Sequence, residues 1–308
     1  MGFGIALANV LTTLFYIIPG FTICKMKKAM PSHLSTLSAV LIYIGTPCLE
    51  IHMFLSIDYS KEQALKMLLF FVTALLLQGF FMLTLYLLLA RKNKDAKYRI
   101  LSIGSVMGNV GFFGLPLMQG LLPDNPEIFS YVAMYMVAMN LLAFTMGSFC
   151  ITADKKFISI KSALFNPTTF GLMFAFPIYF LGLGRFIPAL LIKAIGTIAS
   201  MTTPLCMFIL GIRLASVSLK NIINKPIVFI IAALKLLAFP LFCFGVLYFI
   251  PLDFSFKACI VILAGTPCAA IIQSLSEMYG ENAEISANCI MVSTLLCFLT
   301  LPLFTLIL

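Results

Sequence analysis

An all-α membrane protein with many spans is the fold class predicted by this 308-residue sequence, and three observations predict it. The chain is 62% hydrophobic and 10% charged, with a mean hydropathy of +1.10, more than a soluble domain needs. Its apolar residues form continuous runs of about 20 residues, the length of a membrane helix. Those runs do not alternate, which excludes a membrane β-barrel.

Ten spans follow in order. Residues 3–24 form the first. It lacks a positive leading region and its first basic residues come after it, so it is expected to be retained rather than cleaved as a signal peptide. Residues 33–55 carry Thr46-Pro47, and 63–90 end on the basic run from Arg91 to Arg99. The fourth span, 100–122, contains Gly104, Gly108, Gly111, Gly114 and Pro116. Glycine costs about 1 kcal/mol and proline about 3 kcal/mol in a helix interior, so a break is expected there. Glu127 opens 128–152. In the second half, 167–184 is followed by 188–212 with Thr203-Pro204, by 226–250 with Lys235, by 257–278 with Gly265-Thr266-Pro267, and by 285–307.

Basic residues orient these spans. Fourteen Lys and Arg follow spans 1, 3, 5 and 7, among them Lys220 and Arg213. Five border the alternate loops (Lys61, Lys66, Arg185, Lys193, Lys257), and Lys235 lies inside a span. Odd-to-even loops are therefore expected in the cytoplasm and both termini outside, with the chain in the cytoplasmic membrane. The loop after span 9 is an exception, with Glu281, Glu284 and no base. The net charge of +9 follows from this topology and requires no nucleic-acid partner. Nine scattered cysteines read as small buried residues. Two histidines are too few for a histidine metal cluster. No catalytic elbow, Walker loop or dinucleotide fingerprint is present, so no enzyme and no cofactor is expected.

An internal repeat divides the chain at 157. Adding 157 carries Asn9 to Asn166, Thr46-Pro47 to Thr203-Pro204, Gly108-Asn109-Val110 to Gly265-Thr266-Pro267, and Glu127-Ile128 to Glu284-Ile285. Five spans per half is an odd number, so residues 1–157 and 158–308 insert with opposite orientation: a 5+5 inverted-topology repeat, a frequent basis of alternating access. Counting about 1.5 Å per residue, Asn109 and Pro267 each lie about 14–15 Å deep, from opposite faces. Broken helices 4 and 9 thus meet near the midplane.

Polar residues at that depth are the candidate site. Lys235, about 14 Å deep, is ionisable inside the membrane, and such residues face a cavity or the bundle interior. Its partner under the repeat is Gln78. Lys235 reads as a counter-charge for an anion, as the partner of a structural carboxylate, or as an amine held neutral in an apolar site. Asn109 and Thr266 sit in the breaks. Ser105, Asn140, Gln273 and Asn288 are read as coupling-ion ligands or as interhelical hydrogen-bond formers. Glu50 is placed in the outer third, reaching the outer interface with His52, and Glu277 near cytoplasmic water.

Gly108-Asn109-x-Gly111-Phe112-x-Gly114-Leu115-Pro116-Leu117 resembles the fourth-helix signature of the auxin efflux carrier family of permeases. Asn166-Pro167 and Ser293 to Pro302 resemble it more weakly. The resemblance covers nearly the whole chain, and the short loop between spans 5 and 6 points to a compact, bacterial-type member. It implies a scaffold of spans 1, 2, 6 and 7 that forms a homodimer. It also implies an elevator-like transport unit of spans 3–5 and 8–10, in which helices 4 and 9 cross at Pro116 and Pro267. The substrates it implies are small organic anions, mono- or dicarboxylates.

The function expected is secondary transport of such an anion, with Gly108, Asn109, Gly111, Pro116, Thr266, Pro267, Lys235 and Gln78 around it and H⁺ or Na⁺ as a possible coupling ion. A sodium- or proton-coupled symporter or cation exchanger on the same plan would place acidic residues at the breaks, and none is there. A receptor would need a sensing domain, and the loops are short.

Overall fold

The computed structural model describes residues 2–165, 169–216 and 225–308. Asn166, Pro167 and Lys220 lie outside them. Among the described residues the regular structure is helical, apart from one isolated bridge between Gly108 and Cys268. The helices are α1 (Phe3–Lys25), α2 (Pro31–Leu55), α3 (Lys61–Leu88), α4 (Ala96–Gly104), α5 (Val110–Leu121), α6 (Glu127–Thr152), α7 (Phe170–Phe180), α8 (Ala189–Ser216), α9 (Pro226–Tyr248), α10 (Phe254–Ala264), α11 (Ala270–Tyr279) and α12 (Ala283–Ile307). Seven (α1, α2, α3, α6, α8, α9 and α12) are long and apolar enough to cross a membrane. Three shorter apolar helices, α5, α7 and α10, occupy the remaining expected spans.

Local chemistry sets several of these elements. The Ser60 hydroxyl caps α3 by accepting from the Gln63 N–H at 3.0 Å, and the Asp95 carboxylate caps α4 by accepting from Lys97 at 3.1 Å. Four helices contain a π-turn, at Leu41–Gly45, Val110–Gly114, Ala143–Gly147 and Leu234–Ala238. Pro47, Pro116 and Pro240 each follow one of them by two residues. Proline lacks an N–H and pushes away the carbonyl four residues back; the wider turn absorbs that displacement. In α2 the Thr46 hydroxyl donates to Leu41 O at 3.0 Å and helps satisfy the widened turn.

Packing follows two groupings. α8 lies along α1 and α2, and α7 along α2. Gly20 and Gly211 bring the α1 and α8 backbones together, since a Cβ at Gly20 would strike Phe208 O and one at Gly211 would strike Ile17 O. Elsewhere α3 packs on α6, α9 on α10 and α12, and α11 on α12. Helix α1 also touches α12 and α5.

Ion pairs sort the loops by face. Arg99 pairs with Glu281 at 2.8 Å, and Lys225 with Glu284 at 2.6 Å. The loop after α11 therefore shares a face with the basic stretches before α4 and α9. Its acidic residues, the exception in the charge pattern, pair with bases of that face. Lys66 meets Glu62, Glu127 and Asp253 at 3.2, 3.3 and 3.8 Å, gathering the starts of α3, α6 and α10.

One expectation about depth is corrected. Glu50 does not reach an interface: its exposure is 0%. Its carboxyl lies against the backbone of Gly171 and Leu172 at the start of α7 without closing a well-formed hydrogen bond. Counting along a helix gave its depth but not its face, and this face of α2 is covered by α7. His52 is half-buried and borders a groove with Lys193, Thr197 and Ser200. Glu277 is exposed, as expected.

Candidate functional site

The fourth and ninth apolar segments both break, and the breaks lie against each other. α4 stops at Gly104 and α5 begins at Val110; α10 stops at Ala264 and α11 begins at Ala270. Between the extended segments, Asn109 N–H donates to Pro267 O at 2.7 Å and Ala269 N–H donates to Met107 O at 3.1 Å. This is a one-pair antiparallel bridge centred on Gly108 and Cys268. Backbone groups freed by each break are thus partly satisfied by the other, as a low-dielectric interior requires.

Across the breaks the ends of α4 and α10 (Gly104, Ala264), the bridged residues (Gly108, Cys268) and the starts of α5 and α11 (Val110, Ala270) each lie 160 residues apart, against the 157 that aligns the Thr-Pro and Glu-Ile pairs elsewhere. Pro116 lies in α5, beyond the π-turn, while the break itself runs from Ser105 to Asn109. Pro267 is in the opposite break and contributes its carbonyl.

The helix-end carbonyls have distinct partners. Ser105 N–H and hydroxyl both donate to Leu101 O. The Thr266 N–H and hydroxyl both donate to Leu263 O, the hydroxyl at 2.6 Å. Gly104 O accepts from the Cys268 thiol at 3.4 Å, and Cys268 N–H donates to the Ser293 hydroxyl at 2.9 Å. Ala264 O accepts from Lys235 Nζ.

Lys235 is fully buried, at 0% exposure. It projects from the π-turn of α9, with its ammonium 5.4 Å from the centre of the Phe239 ring. Among the described residues it forms no salt bridge, so the structural-carboxylate alternative is not realised here. A Cβ at Gly108 would lie 3.0 Å from Lys235 Nζ and would collide with the Thr266 hydroxyl. Glycine at 108 is what lets the cation, the hydroxyl and the bridging backbone share one volume.

The remaining candidates divide. Asn109 is half-buried, with its amide nitrogen 3.9 Å from Cys206 Sγ of α8. Gly111 faces Met136 and Leu49 rather than the opposite break. Gly114, by contrast, faces Leu263 and Thr266 across it. Gln78 is fully buried and donates to Ala74 O at 3.1 Å, leaving Oε1 without a partner; it makes no hydrogen bond to Lys235. Ser105, Asn140, Gln273 and Asn288 do not form one cluster of mutual bonds. Asn140 and Asn288 each keep a buried amide nitrogen without a partner. Gln273 accepts from Arg213 and donates to Glu277 at 2.6 Å. Cys268 and Cys206 are not among the residues the sequence points to, and only their places beside Thr266-Pro267 and Thr203-Pro204 mark them; Ser293, which opens the last-span motif, joins the site through the Cys268 N–H.

Against known proteins, a family model described as membrane transport protein matches residues 5–159 and 151–305. The chain is 25% identical over 299 residues to an uncharacterized transporter of Methanocaldococcus jannaschii, covering 96% of each chain. It is 24% identical over 307 residues to an uncharacterized transporter of Methanothermobacter thermautotrophicus, covering 97% of each.

Proposed function

The chain belongs to the membrane transport protein family, and on that footing we propose that it is a secondary transporter moving a small organic anion across the cytoplasmic membrane by alternating access. The observation that carries this reading is Lys235, an ammonium at 0% exposure whose hydrogen-bond partner is the helix-end carbonyl of Ala264. A buried cation without a paired carboxylate favours a negative ligand. The first N–H groups of α5 and α11 add partial positive charge at the breaks. Asn109 supplies a neutral amide donor at the break and Thr266 packs beside Gly108 with its hydroxyl on Leu263 O, while Gln78 keeps an unpaired amide oxygen in the same protein interior.

In this reading the ten apolar segments are ten spans in a 5+5 inverted repeat, with the two broken helices crossing at Gly108 and Cys268. The equal 160-residue spacing of the helix ends on either side of the bridge supports it, because a pseudo-twofold axis would place matching breaks face to face. The close packing of α1, α2, α7 and α8 supports their role as a scaffold and dimer contact, against a transport unit of α3–α6 and α9–α12. The basic face is cytoplasmic and both termini face out. H⁺ or Na⁺ is the coupling ion to be sought, with Asn140, Asn288, Ser105 and Gln273 as its candidate ligands.

The test is a thermal-shift screen of the purified full-length protein against mono- and dicarboxylates, with and without Na⁺ and across pH. At least one carboxylate should stabilise the protein, and Lys235→Gln should lose that stabilisation. No stabilisation by any carboxylate, or an equal effect on Lys235→Gln, overturns the reading.

A further inference from the structure

Arg213 is the residue that the reading above leaves without a role. Charge counting placed it in a loop, yet it belongs to α8 and is half-buried. It stands seven residues, or about 10 Å along the axis, beyond Cys206, whose thiol touches the Asn109 amide in the break. A spacing of seven puts both on one face of α8. The Arg213 guanidinium donates to Gln273 Oε1 of α11, and Gln273 in turn donates to Glu277 at 2.6 Å. Among the described residues Arg213 pairs with no carboxylate, and its Nε is buried without an acceptor. A guanidinium is shaped to grip a carboxylate through two parallel N–H donors. Here one donor meets a neutral amide and a neighbouring one meets nothing.

We infer that Arg213 is a further anion-contacting residue of the transport route, a gate that holds Gln273 when the route is closed and takes the carboxylate of the passing anion when it opens. The inference rests on the anion-transport reading. It adds a second basic residue to Lys235, on the opposite grouping of helices and nearer the face that carries Arg99 and Glu281. Gln273 changes role with it, from a coupling-ion ligand to the latch that occupies the guanidinium between passages. Glu277 orients the latch by accepting from its amide nitrogen, which leaves the amide oxygen turned to Arg213.

The experiment measures binding of malonate and of indole-3-acetate to full-length protein in nanodiscs, with thermal stability recorded on the same samples. Arg213→Gln should bind the responding probe about tenfold more weakly, the worth of one charge-assisted hydrogen bond, at an unchanged melting temperature, and Arg213→Lys should recover part of the loss. Gln273→Ala frees the guanidinium and should bind the probe more tightly, which keeps the inference testable if Arg213→Gln does not fold. Wild-type affinity in Arg213→Gln and Gln273→Ala, with Lys235→Gln impaired, overturns the gate and leaves the transport reading standing. A wild-type protein that binds neither these probes nor any other mono- or dicarboxylate overturns both.

Discussion

Gly108 and Cys268 face each other across two broken helices, joined by the hydrogen bonds of their neighbours, Asn109 to Pro267 at 2.7 Å and Ala269 to Met107 at 3.1 Å. Both residues are buried, and a Cβ at Gly108 would collide with the Thr266 hydroxyl. The first prediction follows from that closeness. Gly108→Leu should abolish transport and cost about 1–3 kcal/mol of stability by overpacking, because its side chain must displace Thr266 and Lys235. Gly111→Ala should be tolerated, since its Cβ meets the flexible end of Met136 at 3.2 Å. Flux and melting temperature of the two variants check this; equal damage in both would return the segment to ordinary helix packing.

Lys235 gives the second prediction. Lys235→Gln keeps a donor for Ala264 O but loses the charge, so carboxylate affinity should fall about tenfold to hundredfold with little loss of stability. Lys235→Met also strands the carbonyl and should cost about 1–3 kcal/mol. A large stability loss in Lys235→Gln without an affinity change would remove Lys235 from the site.

Glu50 gives the third. Its carboxyl is buried, and no cation pairs with it among the described residues. Glu50→Gln, which preserves shape, should hold or raise the melting temperature, because a buried group without an ion partner gains nothing from carrying charge. Glu50→Ala should lower it by opening a void between α2 and α7. A sharp drop in Glu50→Gln would mean that the carboxylate serves an ion partner formed in another conformation.

The fourth concerns the faces. Cysteines introduced at Lys94 and Asn282 should label from one side of the membrane, and cysteines at Asp124 and Asp253 from the other. Arg99→Ala should cost about 1–3 kcal/mol, because Arg99 also donates to Ile151 O at 2.6 Å and Asn93 O at 2.9 Å. Labelling of Lys94 and Asn282 from opposite sides would contradict the Arg99–Glu281 pairing.

Much of this architecture is legible in the residues themselves. Continuous apolar runs place the helices, and clustered glycines with Thr266-Pro267 place both breaks, because composition and backbone chemistry act locally. What depends on where hydrogen bonds stop is not legible. The exact ends of α4 at Gly104 and of α10 at Ala264, which set the 160-residue spacing of the two breaks, are marked by no residue type. The side facing a neighbour is equally hidden. Counting puts Glu50 at an interface and Arg213 in a loop, yet α7 covers one and α11 binds the other. Pro116 shows a third limit: a proline suggested the crossing, but the π-turn before it lets the helix continue.

The two ion clusters give the assembly a mechanical character. Lys66 ties α3, α6 and α10 at one end, while Arg99 ties the start of α4 to the end of α6 and the loop after α11 at the other. A bundle riveted at both ends transmits an axial push along its length as a strut does. Its compliance is left to the middle, where one pair of backbone bonds and the Cys268 thiol on Gly104 O join the broken rods. Strain imposed at either surface should therefore collect at Gly108 and Cys268, as bending collects at the thinnest section of a loaded beam.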